Sequence, residues 1–211
     1  MKADPRAALL QRGLDALELP LADATQRRML AFLDLLARWN HAYNLTAVRD
    51  PGEMVTRHLL DSLSALPALH GARVLDIGTG AGLPGIPLAL ARPDLDFTLL
   101  DGNAKKIRFV TQACLEIPVP NAHPVHDRAE KYAAARKFDT LITRAVGSVA
   151  DFLRQAAHLC APGGRFVVMK GELPMHEIST LPAGFRIAAT TAVRVPGLDA
   201  TRHLIIIEPA C

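Results

Sequence analysis

Asp76-Ile77-Gly78-Thr79-Gly80-Ala81-Gly82 puts a carboxylate at the end of an apolar run and then a glycine at every second position. Backbone without side chains can approach a bulky ligand closely, and a neighbouring carboxylate can accept hydrogen bonds around a cationic one. A second pattern overlaps the first: Gly80-Ala81-Gly82-Leu83-Pro84-Gly85 is a formal dinucleotide fingerprint, in which phosphate oxygens sit on a helix N-terminus. S-adenosylmethionine carries a sulfonium and an ammonium but no phosphate, so the acidic residue favours the first pattern. Pro84 and Pro87 crowd the helix start that a dinucleotide fold keeps clean, which tilts the same way. The candidate cofactor contacts are then Asp76, Gly78, Gly80 and Gly82. Asp101 ends the next apolar run, where a carboxylate takes the ribose hydroxyls of an adenosine or caps the following helix, two compatible roles. Asp127-Arg128-Ala129-Glu130 follows a third short run, a position for an adenine pocket, although Glu130 alone also reads as a first-turn carboxylate.

Past the fourth run the chain reads Thr143-Arg144-Ala145-Val146-Gly147 rather than the Asn-Pro-Pro-Tyr type found where an exocyclic amine is methylated. No Pro-Cys dipeptide supplies a cysteine nucleophile for a pyrimidine carbon. What remains is a target whose lone pair is already nucleophilic, such as guanine N7, with catalysis by alignment and electrostatics. Arg144 is the candidate catalytic residue, holding base or cofactor through its fixed fork of donors, with a plain ion pair at the strand end as the alternative. Lys105, Lys106 and Arg108 make a basic cluster beside the cofactor loop, and Lys170 and Arg202 end two later strands. These charges either grip phosphates or face solvent. Trp39 and Tyr43 offer stacking surfaces, but Trp39 lies on an apolar helical stripe and reads as core. The histidines lack metal-ligand spacing, and no metal is expected.

The elements that must position these residues are legible from periodicity. Asp4-Pro5 caps a first helix carrying Leu10, Leu14 and Leu17. Asp23 is the cap candidate of a second, with Met29, Phe32, Leu33, Leu36 and Trp39 on one face. Arg57-His58-Leu59-Leu60-Asp61-Ser62 is expected on another helix, so residues 1–66 form a helical extension. From Val74 onwards short apolar runs (73–77, 97–100, 140–143, 165–169) alternate with helical patterns (86–91, 107–115, 149–159), which predicts a parallel sheet covered by helices. Phe185 to Val193 and His203 to Ile207, joined through Pro196-Gly197-Leu198-Asp199, predict an antiparallel hairpin at the sheet edge. Residues 67–211 are thus the catalytic domain, in one structural unit with the extension.

A length of 211 residues suffices for one α/β core with a small extension but not for two ordinary domains. A net charge of +3 permits a nucleic-acid partner without requiring one. Cys114, Cys160 and Cys211 are an odd number at wide spacing, which suggests neither a disulfide framework nor a metal site. Charges at Asp4, Arg6, Arg12 and Asp15 break any leader-like apolar run, and the uncharged stretch from Ile77 to Ala91 is too short to span a bilayer. A soluble, cytoplasmic protein without a membrane partner is expected.

Taken together, these motifs resemble the ribosomal RNA small subunit methyltransferase G family, also called glucose-inhibited division protein B. The resemblance is carried by Trp39-Asn40 with Asn44-Leu45-Thr46, Arg57 to Ser62, Asp76 to Gly85, Thr143-Arg144-Ala145, Lys170-Gly171, and Val195 to Asp199 with Arg202-His203-Leu204. It implies a Rossmann-like class I methyltransferase fold with a mostly parallel seven-stranded sheet and an antiparallel C-terminal hairpin. It also implies methylation of guanine N7 in the decoding-region loop of 16S ribosomal RNA. Matching position by position, the implied cofactor contacts are Gly78, Leu83, Ala129, Glu130 and Arg144. For an RNA substrate, Arg57 is counted with the basic residues Lys105, Lys106, Arg108, Lys170 and Arg202 as candidate RNA-binding positions. The partner would be 16S ribosomal RNA or the small ribosomal subunit, met by a monomer. Gly102-Asn103 and the ending Glu208-Pro209 depart from the family pattern. A nicotinamide-dependent oxidoreductase and a non-catalytic RNA-binding protein on the same fold are the competing readings.

Overall fold

The computed structural model describes residues 4–144 and 147–210; Ala145, Val146 and Cys211, which entered the sequence patterns, lie outside these residues. The Asp4 side chain accepts from the Arg6 amide and Pro5 opens α1 (Pro5–Ala16), whose Leu10 and Leu14 are buried. Helix α2 (Asp23–Tyr43) buries Met29, Phe32, Leu33 and Leu36 along one stripe. Its N-cap is Ala22, not Asp23, which is the first helical residue and meets the helix dipole from within the first turn. Trp39 packs against Phe109 and stacks on Tyr43, centroids 5.6 and 5.1 Å apart, as a core residue would.

The segment expected as one helix around Arg57 is broken into three pieces. A short α3 (Pro51–Met54) runs into a π-helical turn, Val55–Leu60, and then α4 (Asp61–Leu63). A π turn accommodates an additional residue and so re-phases the side chains; here His58, Asp61 and Ser62 are all buried while Arg57 stays exposed. Helix α1 lies on this turn through Gly13, where a Cβ would overlap the buried Leu60 side chain.

Seven strands follow: β1 (Arg73–Ile77), β2 (Asp96–Asp101), β3 (Ala122–His126), β4 (Phe138–Arg144), β5 (Cys160–Lys170), β6 (Phe185–Val193) and β7 (Arg202–Pro209). They form one sheet in the order β3-β2-β1-β4-β5-β7-β6. The first five are parallel, and β7 inserts antiparallel between β5 and β6. Period-two alternation splits the strand side chains between two layers. Val74, Phe97, Leu99 and Ile142 join the core built with α1, α2, α5 (Gly85–Ala91) and α6 (Ala104–Glu116). Leu75, Leu100, Leu141 and Phe166 join the opposite core under α7 (Val149–Ala156). The N-terminal helices therefore share a continuous core with the sheet. Among the described residues no helix is long and apolar enough to cross a membrane, and no cluster of His, Cys, Asp or Glu could hold a metal ion.

The Gly13 contact generates a stability prediction. Gly13→Val should lower the unfolding free energy by about 2 kcal/mol, because overpacking outweighs the gain in helix propensity. A urea transition matching the wild type would show that α1 is free to shift.

Candidate functional site

Strands β1 and β4 lie side by side, and the chain leaves them for opposite faces of the sheet, into α5 and α7. A parallel sheet opens a crevice beyond its carboxyl ends at such a switch point. Around that crevice β1 ends in the glycine loop from Gly78, while β2, β4 and β5 end in Asp101, Arg144 and Lys170, with Arg202 alongside because β7 runs the other way.

The loop after β1 is held from below. The amides of Gly78 and Thr79 both donate to the Leu100 carbonyl, at 2.8 and 3.0 Å. Asp76, fully buried, accepts through Oδ2 from Thr79 Oγ1 at 2.6 Å and from the Gly85 amide at 2.9 Å. Its Oδ1 is buried without a partner, and burial pushes the carboxyl up to about 6. Gly78 and Gly80 have φ of +69° and +60°, and a Cβ on either would meet open space, with nothing nearer than 3.8 Å. The other two glycines do packing work: a Cβ on Gly82 would press into Ile86 at 2.5 Å, and one on Gly85 would overlap Leu99. The third glycine of the dinucleotide pattern thus packs helix on strand, whereas the loop's open face belongs to the alternate-glycine pattern.

In front of Gly78 and Asp101 lies a cleft of about 430 Å³, with Asp127, Ala129, Glu130 and Gln155 on its far walls. Asp101 accepts from the Gly80 amide at 2.9 Å and the Asn103 amide at 2.8 Å. Asn103, not Asp101, caps α6 by accepting from the Lys105 amide at 3.0 Å, which leaves Asp101 to the cleft. Lys106 Nζ stands 3.8 Å from Asp101 Oδ2. Asp76, Gly82 and the buried Leu83 sit behind this cleft and shape the loop rather than lining it.

A second cleft of about 380 Å³ opens at the end of β4, walled by Arg57, His58, Asp61, Arg144, Lys170 and Arg202. The two clefts are tied together by Thr143, whose buried hydroxyl donates to the Ile77 carbonyl at 2.8 Å, so that Arg144 follows directly beside Gly78. Arg144 Nη1 donates to Asp61 Oδ2 at 2.9 Å and to the Arg57 carbonyl at 3.0 Å. Lys170 Nζ donates to the Gly147 carbonyl at 2.9 Å and to Glu177 Oε1 at 3.2 Å. His58 donates to or accepts from Thr46 Oγ1 at 3.0 Å through Nε2, while its Nδ1 is buried without a partner. Burial, followed by the Arg144 charge, drives its pKa down to about 4, so the imidazole is neutral near pH 7.

Of the residues singled out from sequence, Arg57, Arg144, Lys170 and Arg202 share the second cleft, and Gly78, Asp101, Ala129 and Glu130 share the first. Lys105 and Arg108 are exposed on α6 and line neither. Glu208, part of the atypical ending, is engaged by Arg165 and Arg186. Asp61, His58, Thr143 and Gln155 line or tie these clefts without being singled out by the sequence patterns. The signal for the first two is weak: His58 and Asp61 flank Leu59-Leu60, within a segment from Met54 to Leu63 that mixes apolar residues with Thr56, Arg57 and Ser62. Burial pushes the Cys114 and Cys160 thiols up to about 11, so neither is poised as a nucleophile.

Comparison with known proteins adds independent findings. The family model described as rRNA small subunit methyltransferase G matches residues 25–205. The ribosomal RNA small subunit methyltransferase G of Aromatoleum aromaticum is 50% identical over 207 residues, covering 96% of this chain and 98% of that protein. The protein of the same name from Nitrosococcus oceani is 47% identical over 201 residues, covering 95% and 94%. Among solved structures, glycopeptide N-methyltransferase MtfA complexed with S-adenosylmethionine superposes with a TM-score of 0.60 at 12% identity, covering 73% of this chain and 88% of that one; this likeness concerns the fold.

The buried imidazole generates a pH prediction. A His lowered from 6.5 to about 4 by folding stays neutral in the native state, while the unfolded chain takes up a proton below 6.5. Stability is therefore lost as pH falls through that window. Asp76, raised to about 6, acts in the opposite sense, so a variant is needed to isolate His58. Between about pH 7 and about pH 5 the urea-derived stability advantage of wild type over His58→Gln should shrink by up to about 2 kcal/mol. An advantage independent of pH would contradict the assignment.

Proposed function

Because the chain belongs to the rRNA small subunit methyltransferase G family, we propose that it transfers a methyl group from S-adenosylmethionine to N7 of a guanine in the decoding-region loop of 16S ribosomal RNA. The observation that carries the assignment of roles is the meeting of two clefts at the ends of β1 and β4, one suited to an adenosine and the other walled by four cationic side chains. Gly78, Gly80, Asp101, Ala129 and Glu130 would hold the cofactor, with Asp76, Gly82 and Leu83 shaping the loop behind it. The residues fit that group. Asp101 keeps lone pairs for ribose hydroxyls after accepting two amides, the glycines leave open space in front of the loop, and the unpartnered Asp76 oxygen puts negative charge beneath a cationic ligand.

When bound, S-adenosylmethionine supplies an electrophilic methyl group on a positively charged sulfur. Guanine N7 presents a free lone pair, so no side chain has to remove a proton, and the neutral His58 suits such a site. Arg144 would act by alignment: a guanidinium donating to the exocyclic oxygen next to N7 fixes the ring while leaving the lone pair unshielded. Arg57, Lys170 and Arg202 would take the phosphates around the target, and Lys105, Lys106 and Arg108 would extend the positive surface past the cofactor cleft. A ribosomal RNA or small-subunit substrate supports a cytoplasmic site of action as part of this reading.

Radiolabelled methyl groups should pass from S-adenosylmethionine to small-subunit RNA or particles taken from cells lacking this protein. Borohydride and aniline cleavage should then map the product to one decoding-region guanine. No transfer to any ribosomal substrate, with S-adenosylhomocysteine bound normally, would defeat the proposal. Arg144→Ala should lower turnover by about 100-fold or more in protein assayed well below its thermal transition, which will itself fall because the buried Asp61 loses one of its two partners. Near-normal turnover would remove Arg144 from the centre of the chemistry.

A further inference from the structure

Asp61 lies on α4, directly after the π-helical turn, and its side chain is almost wholly buried. Its two oxygens serve two arginines from distant parts of the chain: Oδ2 accepts from Arg144 Nη1 at 2.9 Å, and Oδ1 accepts from Arg202 Nε at 2.9 Å. Both arginines line the second cleft, one at the end of β4 and the other at the start of β7. Among the described residues their remaining guanidinium nitrogens carry no hydrogen bond, so the carboxylate fixes both forks while sparing donors for a ligand. One carboxylate between two guanidiniums is more than a stable core requires, since buried ion pairs seldom repay their desolvation. It is, however, what a site needs to hold two like charges close together in set orientations.

Resting on the methyltransferase reading above, we infer that Asp61 is the positioning residue of the target cleft: it aligns Arg144 and Arg202 and offsets their charge where the methylated base acquires its own. Transfer of a methyl group from a sulfonium to a neutral ring nitrogen forms the N–C bond as the S–C bond breaks, and it moves one positive charge into this cleft. Arg57, Arg144, Lys170 and Arg202 attract phosphates but oppose that incoming charge, and Asp61 is the acidic residue lining the same cleft.

The two roles separate in kinetics. Asp61→Asn leaves the wall more positive and less ordered, so kcat on small-subunit RNA should fall about 100-fold while RNA affinity holds or tightens and S-adenosylhomocysteine binds as before. A kcat equal to wild type would overturn the inference, as would parallel loss of turnover, RNA binding and cofactor binding with a lowered melting temperature. Should that variant not fold, Arg202→Gln and Arg57→Gln each remove one positive charge from this cleft, but only Arg202 touches the Asp61 carboxylate. Arg202→Gln should lower kcat about tenfold, and Arg57→Gln should act through KM. Equal effects confined to KM would overturn the inference. Absence of transfer by the wild type would instead overturn the methyltransferase reading, and this inference with it.

Discussion

Everything that can do chemistry in this chain hangs from the carboxyl edge of a parallel sheet, at the point where β1 and β4 end side by side and their continuations leave to opposite faces. That divergence opens a crevice no single loop could make. Two buried hydrogen bonds keep its floor in place. Asp76 reaches across the loop to the Gly85 amide, so the glycine turn cannot lift, and Thr143 binds the Ile77 carbonyl, so the end of β4 cannot drift from the end of β1. The cofactor side and the target side are held in register by backbone geometry and need no mobile connector.

Electrostatics divides the crevice. On the cofactor side the charges nearest the backbone are acidic, Asp76 beneath the loop and Asp101 at the end of β2, both accepting amides, with Asp127 and Glu130 beside Arg128 on the far wall and Lys106 near Asp101. Across the Gly78–Arg144 junction the walls turn cationic, with Asp61 as the one carboxylate among the described residues lining that cleft and His58 kept uncharged by burial. A cationic methyl donor and a polyanionic acceptor are thus drawn to opposite sides of one junction by fields of opposite sign. The N-terminal helices contribute to this directly, because the π-helical turn that delivers His58 and Asp61 is braced by α1 through Gly13 and shares the core with α2.

Much of this was legible in the sequence because it rests on local rules. Alternating short apolar runs announced the parallel sheet, acidic residues at strand ends marked Asp76 and Asp101, and the arginine after the fourth run marked Arg144. Parallel connectivity alone then brings those ends together. What sequence hid depends on long-range pairing: Asp61 meets Arg144 and Arg202 across 83 and 141 residues, and no periodicity encodes such contacts. The segment around Arg57 reads as an ordinary helix, on which His58 and Asp61, three residues apart, would also share a face; what sequence does not reveal is that this face is buried and meets Arg144 and Arg202. The cap expected at Asp23, and the capping alternative for Asp101, fail for a local reason. An acidic residue one or two positions from a cap satisfies the same dipole argument as the cap itself, and here Ala22 and Asn103 hold the cap positions.

The central claim is that the donor and the acceptor meet across the Gly78–Arg144 junction, and the most direct test is a crystal structure with S-adenosylhomocysteine. The ribose should sit on Asp101 and the adenine beside Ala129 and Glu130, with the homocysteine sulfur carried past Gly78 so that it faces the cleft of Arg144 and Asp61. Ligand seated instead among Arg57, Lys170 and Arg202, or reversed so that its sulfur faces α6, would contradict it.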